Sequence, residues 1–176
     1  MLVSLIAAVA ENGVIGRNNA LPWRIRDDTR FFMQKTVGHH VVTGRRNYEA
    51  MGKPLPRRPN IVVSRDASFR AECPVVPTLE AALELARAAA ETEAFVIGGA
   101  QIYALALPIA DIFYRTRVLA EVPGDVFFPP FDVSQWDLRV ESAHAADERN
   151  EYAFVIETLT RRRAPPRPIA APVRTA

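Results

Sequence analysis

Residues 74–103 read PVVPTLEAALELARAAAETEAFVIGGAQIY, and the order of elements in this stretch decides the fold. Two short apolar runs, PVVP and AFVIGG, flank a segment in which Thr78 is placed to cap a helix and Leu79, Ala82, Leu83 and Ala86 share one face. Strand, helix and strand in that order predict a parallel crossover, which buries a sheet on both sides. The second strand runs straight into Gly98-Gly99 and a further helical stretch, and GRRNYEAMG from Gly44 repeats that layout. Working outward, LVSLIAAVA (2–10), HVVTG (40–44), NIVVS (60–64), DIFYRTRVLAEV (111–122) and EYAFVIETLTR (151–161) complete a list of strands typical of an α/β sheet.

The 176 residues, 49% of them hydrophobic, suit one domain with an ordinary core. No stretch of about 18 apolar residues suggests a membrane span, and the run after Met1 lacks a basic flank and is followed by Glu11 and Asn12. It reads as the first strand of a cytoplasmic protein. Cys73 is the sole cysteine, and His39, His40 and His144 show no metal-ligand spacing, so neither a disulfide nor a metal is expected. The net charge of +2 conceals a division: residues 161–176 hold five arginines and no acid, leaving the rest at −3. That Pro-rich end, without interleaved aromatics, reads as a disordered tail and not as a nucleic-acid-binding element.

Strand-to-helix junctions with glycine are ready anion sites. Gly98 and Gly99 are adjacent, unlike the spaced glycines of the common dinucleotide fingerprint, and no phosphate-binding G-x-x-x-x-G-K-[ST] loop exists. Arg45 and Arg46 stand at the start of a helix, where cations oppose the helix dipole unless an anion is present. Ser64-Arg65 ends another strand with a hydroxyl beside a guanidinium. Three such junctions at one sheet edge suggest a phosphorylated dinucleotide.

In PWRIRDDTRFF (22–32), Asp27 and Asp28 each precede a phenylalanine by four residues, so each shares a helical face with Phe31 or Phe32. Spacing alone leaves open which acid caps or complements the helix start and which is half-buried. A half-buried carboxylate needs a partner, and a ligand with paired N–H donors would supply one.

SLIAAVAENGVIGRNNALPW, an Asp five residues after the Trp, a Phe four beyond it, VVTGRRNYEAMGKPLPRRPNIVVSR, VIGGAQIY and PGDVFFP resemble, in order and spacing, dihydrofolate reductases of the bacterial chromosomal type. The resemblance covers residues 1–160. It implies a single α/β domain with a central, mostly parallel twisted sheet of about eight strands, the last antiparallel, flanked by about four helices. It also implies NADPH-dependent reduction of dihydrofolate to tetrahydrofolate for one-carbon metabolism, by a monomer sensitive to antifolates. By register, Asp28 would hold the pterin, Thr116 would position the acid and its water, and Phe32, Ile6, Ala8, Met51 and Leu55 would line the substrate pocket. Arg58 matches the residue that pairs with the glutamate α-carboxylate of folate, while Arg57 has no assigned role.

On the cofactor side the resemblance points to Ala8, Ile15, Gly16, Gly44, Arg45, Arg46, Asn47, Ser64 and Arg65, together with Ile97, Gly98, Gly99, Ala100, Gln101, Ile102 and Tyr103. Ser64 and Arg65 would read a 2′-phosphate. Residues 11–24 resemble a mobile lid in which Leu21, Pro22 and Trp23 close the site, with Asp125 bracing it. The proton for pterin N5 would come from lid-associated water, Asp28 acting electrostatically. Thr29, Asn47 and Arg26 depart from the usual residues at their positions and touch pocket and cofactor contacts without changing the reaction class. Two rivals are a sister reductase acting on another pterin or a pyrimidine, which Asp28 with Arg58 disfavours, and a non-catalytic nucleotide-binding module.

Overall fold

The computed structural model describes residues 1–162. Its elements in chain order are β1 (Leu2–Ala10), β2 (Val14–Gly16), α1 (Arg26–Thr36), β3 (Val41–Gly44), α2 (Arg45–Met51), β4 (Asn60–Val63) and β5 (Val75–Val76). There follow α3 (Leu79–Ala88), β6 (Glu93–Val96), α4 (Ala100–Ala106), β7 (Ile112–Val118), β8 (Val126–Phe127), a 3₁₀ turn (Val133–Gln135), β9 (Trp136–His144) and β10 (Phe154–Arg161). Eight strands form one sheet in the order β5-β4-β3-β6-β1-β7-β10-β9. All its pairings are parallel except those of β10, which runs antiparallel to both β7 and β9.

The crossover read from residues 74–103 is present. Thr78 Oγ1 accepts from the Ala81 amide at 3.2 Å, and α3 buries Leu79, Ala82, Leu83 and Ala86 against the sheet. Leu79 and Leu83 are almost wholly removed from water, each contributing about 1.5–3 kcal/mol of burial free energy. Every residue of β3 and β4 is buried, as parallel strands covered on both faces require.

Four features differ from the sequence reading. β9 was not among the apolar runs, because as an edge strand it leaves Leu138, Val140 and most of its other residues exposed. β2 and β8, which pair with each other, are too short to carry a pattern. The expected strand 111–122 ends at Val118, beyond which Leu119 and Ala120 turn out of the sheet. The expected tail begins later than residue 161: Arg161 ends β10 with its guanidinium 4.1 Å from the Trp136 ring centroid, and Arg162 pairs with Asp137 at 2.7 Å. Residues 163–176 of that tail lie outside the described residues.

At the N-terminal edge of the sheet, the carboxylate of Glu91 ties the turn after α3 to the start of β3. It accepts from the amides of His40 (2.7 Å), Thr92 (2.8 Å) and Glu93 (3.1 Å), and its oxygens lie 2.9 and 2.8 Å from Nδ1 of His39 and His40. Burial alone would raise its pKa, but the histidine and backbone hydrogen bonds outweigh burial and hold the group far below its ordinary 4.5. A depressed folded pKa gives stability that is complete above the ordinary value and lost as pH falls through the folded one. Glu91→Gln is therefore expected to lower the urea midpoint at pH 7 and to lower it progressively less as pH drops below 4.5. A deficit that stayed constant through the acid range would contradict the linkage.

Candidate active site

The pocket is built on the inner strands and roofed by α1. Ile6 of β1, Val41, Phe95, Ile97 and Tyr114 form one buried cluster, and Phe31, Phe32, Met51 and Leu55 pack onto it. A second cluster around Trp23, Ile25 and Val118 receives Ala8 and the other side of Phe31. The expected pocket residues Ile6, Phe32, Met51 and Leu55 therefore share one apolar surface, and Phe31 joins it to the cluster that holds Ala8.

Asp27 and Asp28 both lie in the first turn of α1, whose N-cap, Ile25, makes no side-chain cap bond. Their surroundings separate them. Asp27 is bound by Arg149 at 3.0 Å and by the Asn150 amide at 2.9 Å, while Asn150 Oδ1 accepts the Asp27 N–H. Burial, with these contacts opposing it, leaves the Asp27 pKa lowered, the Asn150 hydrogen bond being the largest influence. Asp28 has no such cation. Burial pushes its carboxyl pKa up, and only the hydroxyl of Thr116, itself buried on β7, pulls it back. Ala8 stands opposite Thr116 in the β1–β7 register.

Nearby, Trp23 Nε1 is buried and meets no protein acceptor among the described residues. An unsatisfied buried donor costs about 1–3 kcal/mol, so this edge of the pocket is suited to a polar partner. Leu21, expected to close the site, is 60% exposed. Thr29 donates back to the Ile25 carbonyl at 3.2 Å, which removes its hydroxyl from competition for the pocket.

Arg58 is almost fully buried, 8% exposed. Nε donates to Thr36 Oγ1 (2.8 Å), Nη1 to the Pro56 carbonyl (2.6 Å) and Nη2 to the Met33 carbonyl (3.4 Å). A guanidinium has five N–H donors, so one remains on each terminal nitrogen, the fork that matches a carboxylate. Phe32 lies 5.9 Å from the guanidinium carbon, which places this fork at the end of the apolar surface.

At the opposite side, β3 and β6 meet. The Gly44 amide donates to the Gly98 carbonyl at 2.7 Å, and a Cβ on Gly44 would approach Ile102 to 2.8 Å. Gly98 has φ +105° and faces Tyr103, whose hydroxyl donates to the Ile6 carbonyl at 2.7 Å. Both glycines are explained by close approach. Gly99 is not: a Cβ there would meet nothing within 4 Å. The space beside it, next to Ala100 and Gln101 at the start of α4, is therefore a cradle that protein packing leaves open.

Asn47 donates to Thr43 Oγ1 (2.9 Å) and to the Ile97 carbonyl (3.2 Å), bracing the junction from α2. Arg45, at the start of α2, lies 2.8 Å from Asp66 and 3.9 Å from Glu49, carboxylates that balance its charge beside the helix N-terminus. Arg46 and Arg65 are exposed and form no ion pair among the described residues, and Ser64 Oγ accepts from the Asp66 amide. Ile15 packs against the main core, and Gly16 of β2 accepts from the Asp125 amide at 3.1 Å. The Asp125 carboxylate receives the Asn18 N–H at 3.2 Å, so the 11–24 segment is pinned at its middle.

Sequence reasoning did not single out Arg149 and Asn150, whose bonds to Asp27 span more than 120 residues. A raised folded pKa means that ionised Asp28 destabilises the protein at neutral pH, and that the penalty disappears below its ordinary 3.8. Asp28→Asn is thus expected to raise the melting temperature at pH 7 and to give no gain below pH 3.8, as calorimetry at both pH values would read.

A family model described as dihydrofolate reductase matches residues 2–161. The chain is 46% identical over 164 residues to the type 3 dihydrofolate reductase of Salmonella typhimurium, covering 93% of this chain and all of that one. It is 40% identical to the dihydrofolate reductase of Bacillus subtilis, over 87% of this chain and 90% of the relative. The solved dihydrofolate reductase from Enterococcus faecalis, complexed with NADP(H) and RAB-propyl, superposes with a TM-score of 0.83 at 35% identity, covering 91% of this chain and 96% of that chain. Matches of this extent, on a fold and pocket of this kind, establish that the chain belongs to the dihydrofolate reductase family.

Proposed function

We propose that this enzyme reduces 7,8-dihydrofolate to 5,6,7,8-tetrahydrofolate with NADPH, by hydride transfer to pterin C6 and protonation at N5, and that it acts as a cytoplasmic monomer. The observation that carries this reading is Asp28: a half-buried carboxylate in an apolar pocket with a hydroxyl, and no cation, for company. Its charge is available to a heterocycle that presents paired N–H donors, and stabilises a cationic pterin as the acceptor becomes electron-poor. Thr116 holds the acid in place from β7. Phe32 and Ile6 supply the apolar walls, Met51 and Leu55 continue them, and the Arg58 fork receives a carboxylate at the far end. Trp23 offers its buried N–H to the polar atoms beside Asp28, where water delivers the proton.

The residues present fit a phosphorylated dinucleotide. The relative from Enterococcus faecalis is complexed with NADP(H), and in this chain Gly99 leaves open the space that a pyrophosphate would take. Gly98, Ala100, Gln101 and Ile102 frame that cradle, Arg46 and Asn47 support it from α2, and exposed Arg65 beside Ser64 reads the 2′-phosphate. NADPH, when bound, supplies the hydride. Orientation in a pocket closed to water accounts for much of the acceleration, and the segment pinned by Asp125 provides the closure.

NADPH oxidation should be rapid with dihydrofolate and abolished by a diaminopyrimidine antifolate; no turnover with dihydrofolate would overturn the reading. Asp28→Asn should lower turnover by about 100-fold or more, with partial recovery at low pH where the substrate is already protonated. Gly99→Ala should fold normally yet weaken NADPH binding, measured by the quenching of protein fluorescence on titration. Equal affinity in the two proteins would remove the cradle from the cofactor site.

A further inference from the structure

Thr116, the hydroxyl beside Asp28, belongs to a strand whose other face is charged. Side chains alternate across a sheet, so Ala8, Thr116 and Ile156, neighbours in the β1–β7–β10 register, are on the pocket side. The residues next to them point the opposite way: Ala7 and Val9 join the main core, and Arg115, Arg117 and Glu157 form a cluster behind the pocket wall. Glu157 is 2% exposed, yet it is the centre of this cluster. Its Oε2 lies 2.7 Å from both Nε and Nη2 of Arg115, and its Oε1 accepts from Nε of Arg117 at 3.2 Å. Arg117 Nη1 continues to Glu11, the first residue beyond β1, at 3.7 Å.

Replacing a buried ion pair by apolar side chains of similar size is often neutral or stabilising, so stability alone is a poor reason to bury a carboxylate here. The backbone beside it is also irregular. Where β10 pairs with β9 the register slips, Ile156 facing Ser142 and Glu157 facing Val140, with Glu141 left over. The slip falls at the residues of β10 that face Thr116 and Arg115. A bulge bends and twists its strand pair, and a carboxylate that grips the residue on each side of Thr116 opposes that movement.

We propose that Glu157 is a positioning residue for the reaction: by holding Arg115 and Arg117 together it fixes the twist of β7, and with it the aim of the Thr116 hydroxyl at Asp28. The inference rests on the reading of Asp28 as the acid that binds the pterin. The polar and titratable neighbours of that acid are Thr116 from β7, the buried Tyr103 of α4, which feels its charge, and on α1 itself Asp27, whose carboxylate Arg149 balances. Thr116 is the one that lowers the Asp28 pKa, so a hydroxyl that loses its aim leaves the acid protonated to higher pH.

The test compares Arg115→Leu/Glu157→Leu, which replaces the clasp by apolar bulk, with Thr116→Val and with all three changes together; Glu157→Gln breaks the clasp a second way, without loss of volume. The probe is a diaminopyrimidine antifolate, whose N–H donors pair with ionised Asp28, and its Kd is followed through the acid range. The acid limb of binding is expected to move to higher pH in the leucine pair and in Glu157→Gln, with the KM for NADPH unchanged. Single-turnover hydride transfer should slow by about 3- to 10-fold, a fraction of the ~100-fold that a misplacement of about 1 Å can cost. Thr116→Val should show the same changes, and in its background the leucine pair should add nothing further. An acid limb that stays in place when the clasp is broken, or effects of clasp and Thr116→Val that simply add, would overturn the positioning role. So would a loss of NADPH affinity in proportion to the loss of rate, which is what general loosening of the fold gives. A wild type that neither turns over dihydrofolate nor binds the antifolate would instead remove the functional reading beneath the proposal.

Discussion

The seam between β3 and β6 is the constraint on which the rest of the molecule depends. These strands share only two register pairs, Val41 with Phe95 and Val42 with Val96. Beyond them the seam is held by the Gly44 amide and the Thr43 hydroxyl, both donating to the Gly98 carbonyl, and by Asn47 bridging Thr43 and Ile97. The chain has travelled outward through β4 and β5 before returning to place β6 between β3 and β1. Two helices leave at the same point, one from each strand. Such a reversal of strand order opens a crevice at the carboxyl edge of a parallel sheet. The absence of side chains at Gly44 and Gly98 lets the walls of that crevice come close enough to bond.

The pocket above the seam is energetically asymmetric. Two neighbouring aspartates on one helical turn have pKa values displaced in opposite directions, because one is netted by Arg149 and Asn150 and the other is set into apolar surface with a single hydroxyl. The same division holds for the arginines. Arg45 and Arg115 are satisfied by carboxylates within the chain, whereas Arg58 is buried on carbonyls and a hydroxyl and meets no carboxylate among the described residues. The fold tolerates these unspent groups because its core is well filled: Phe95, Phe113, Phe154 and Leu5 are almost entirely enclosed. Stability is surrendered locally where binding needs unpaired charge.

The parts of this arrangement that were legible in the sequence are those whose cause is local. Thr78 and the apolar stripe of α3 announce their helix, the buried parallel strands announce themselves as continuous apolar runs, and the Gly98-Gly99 junction follows its strand directly. β9 was illegible because an edge strand facing water carries no such run. The choice between Asp27 and Asp28 was also beyond local reading: it is made by Asn150 and Arg149 on one side and Thr116 on the other, and helical spacing treats the two acids alike. The pairing of Arg45 with Asp66 was illegible for a related reason, since Asp66 arrives from beyond the next strand.

The bonds from Asp27 to Arg149 and Asn150 have a consequence for how the protein comes into being. Chains are made from the amino end, so α1 is complete long before the residues that anchor its first turn emerge. Ile25 also pairs with Asn150 in an isolated bridge, and β10, the neighbour of β7, follows immediately after. Closing a loop of that span is slow relative to forming a helix. During synthesis, therefore, the first turn of α1 gains its anchor only as the last strand arrives. A ribosome-bound chain halted before residue 149 has most of the sheet and lacks the bonds that hold the first turn of α1 to it.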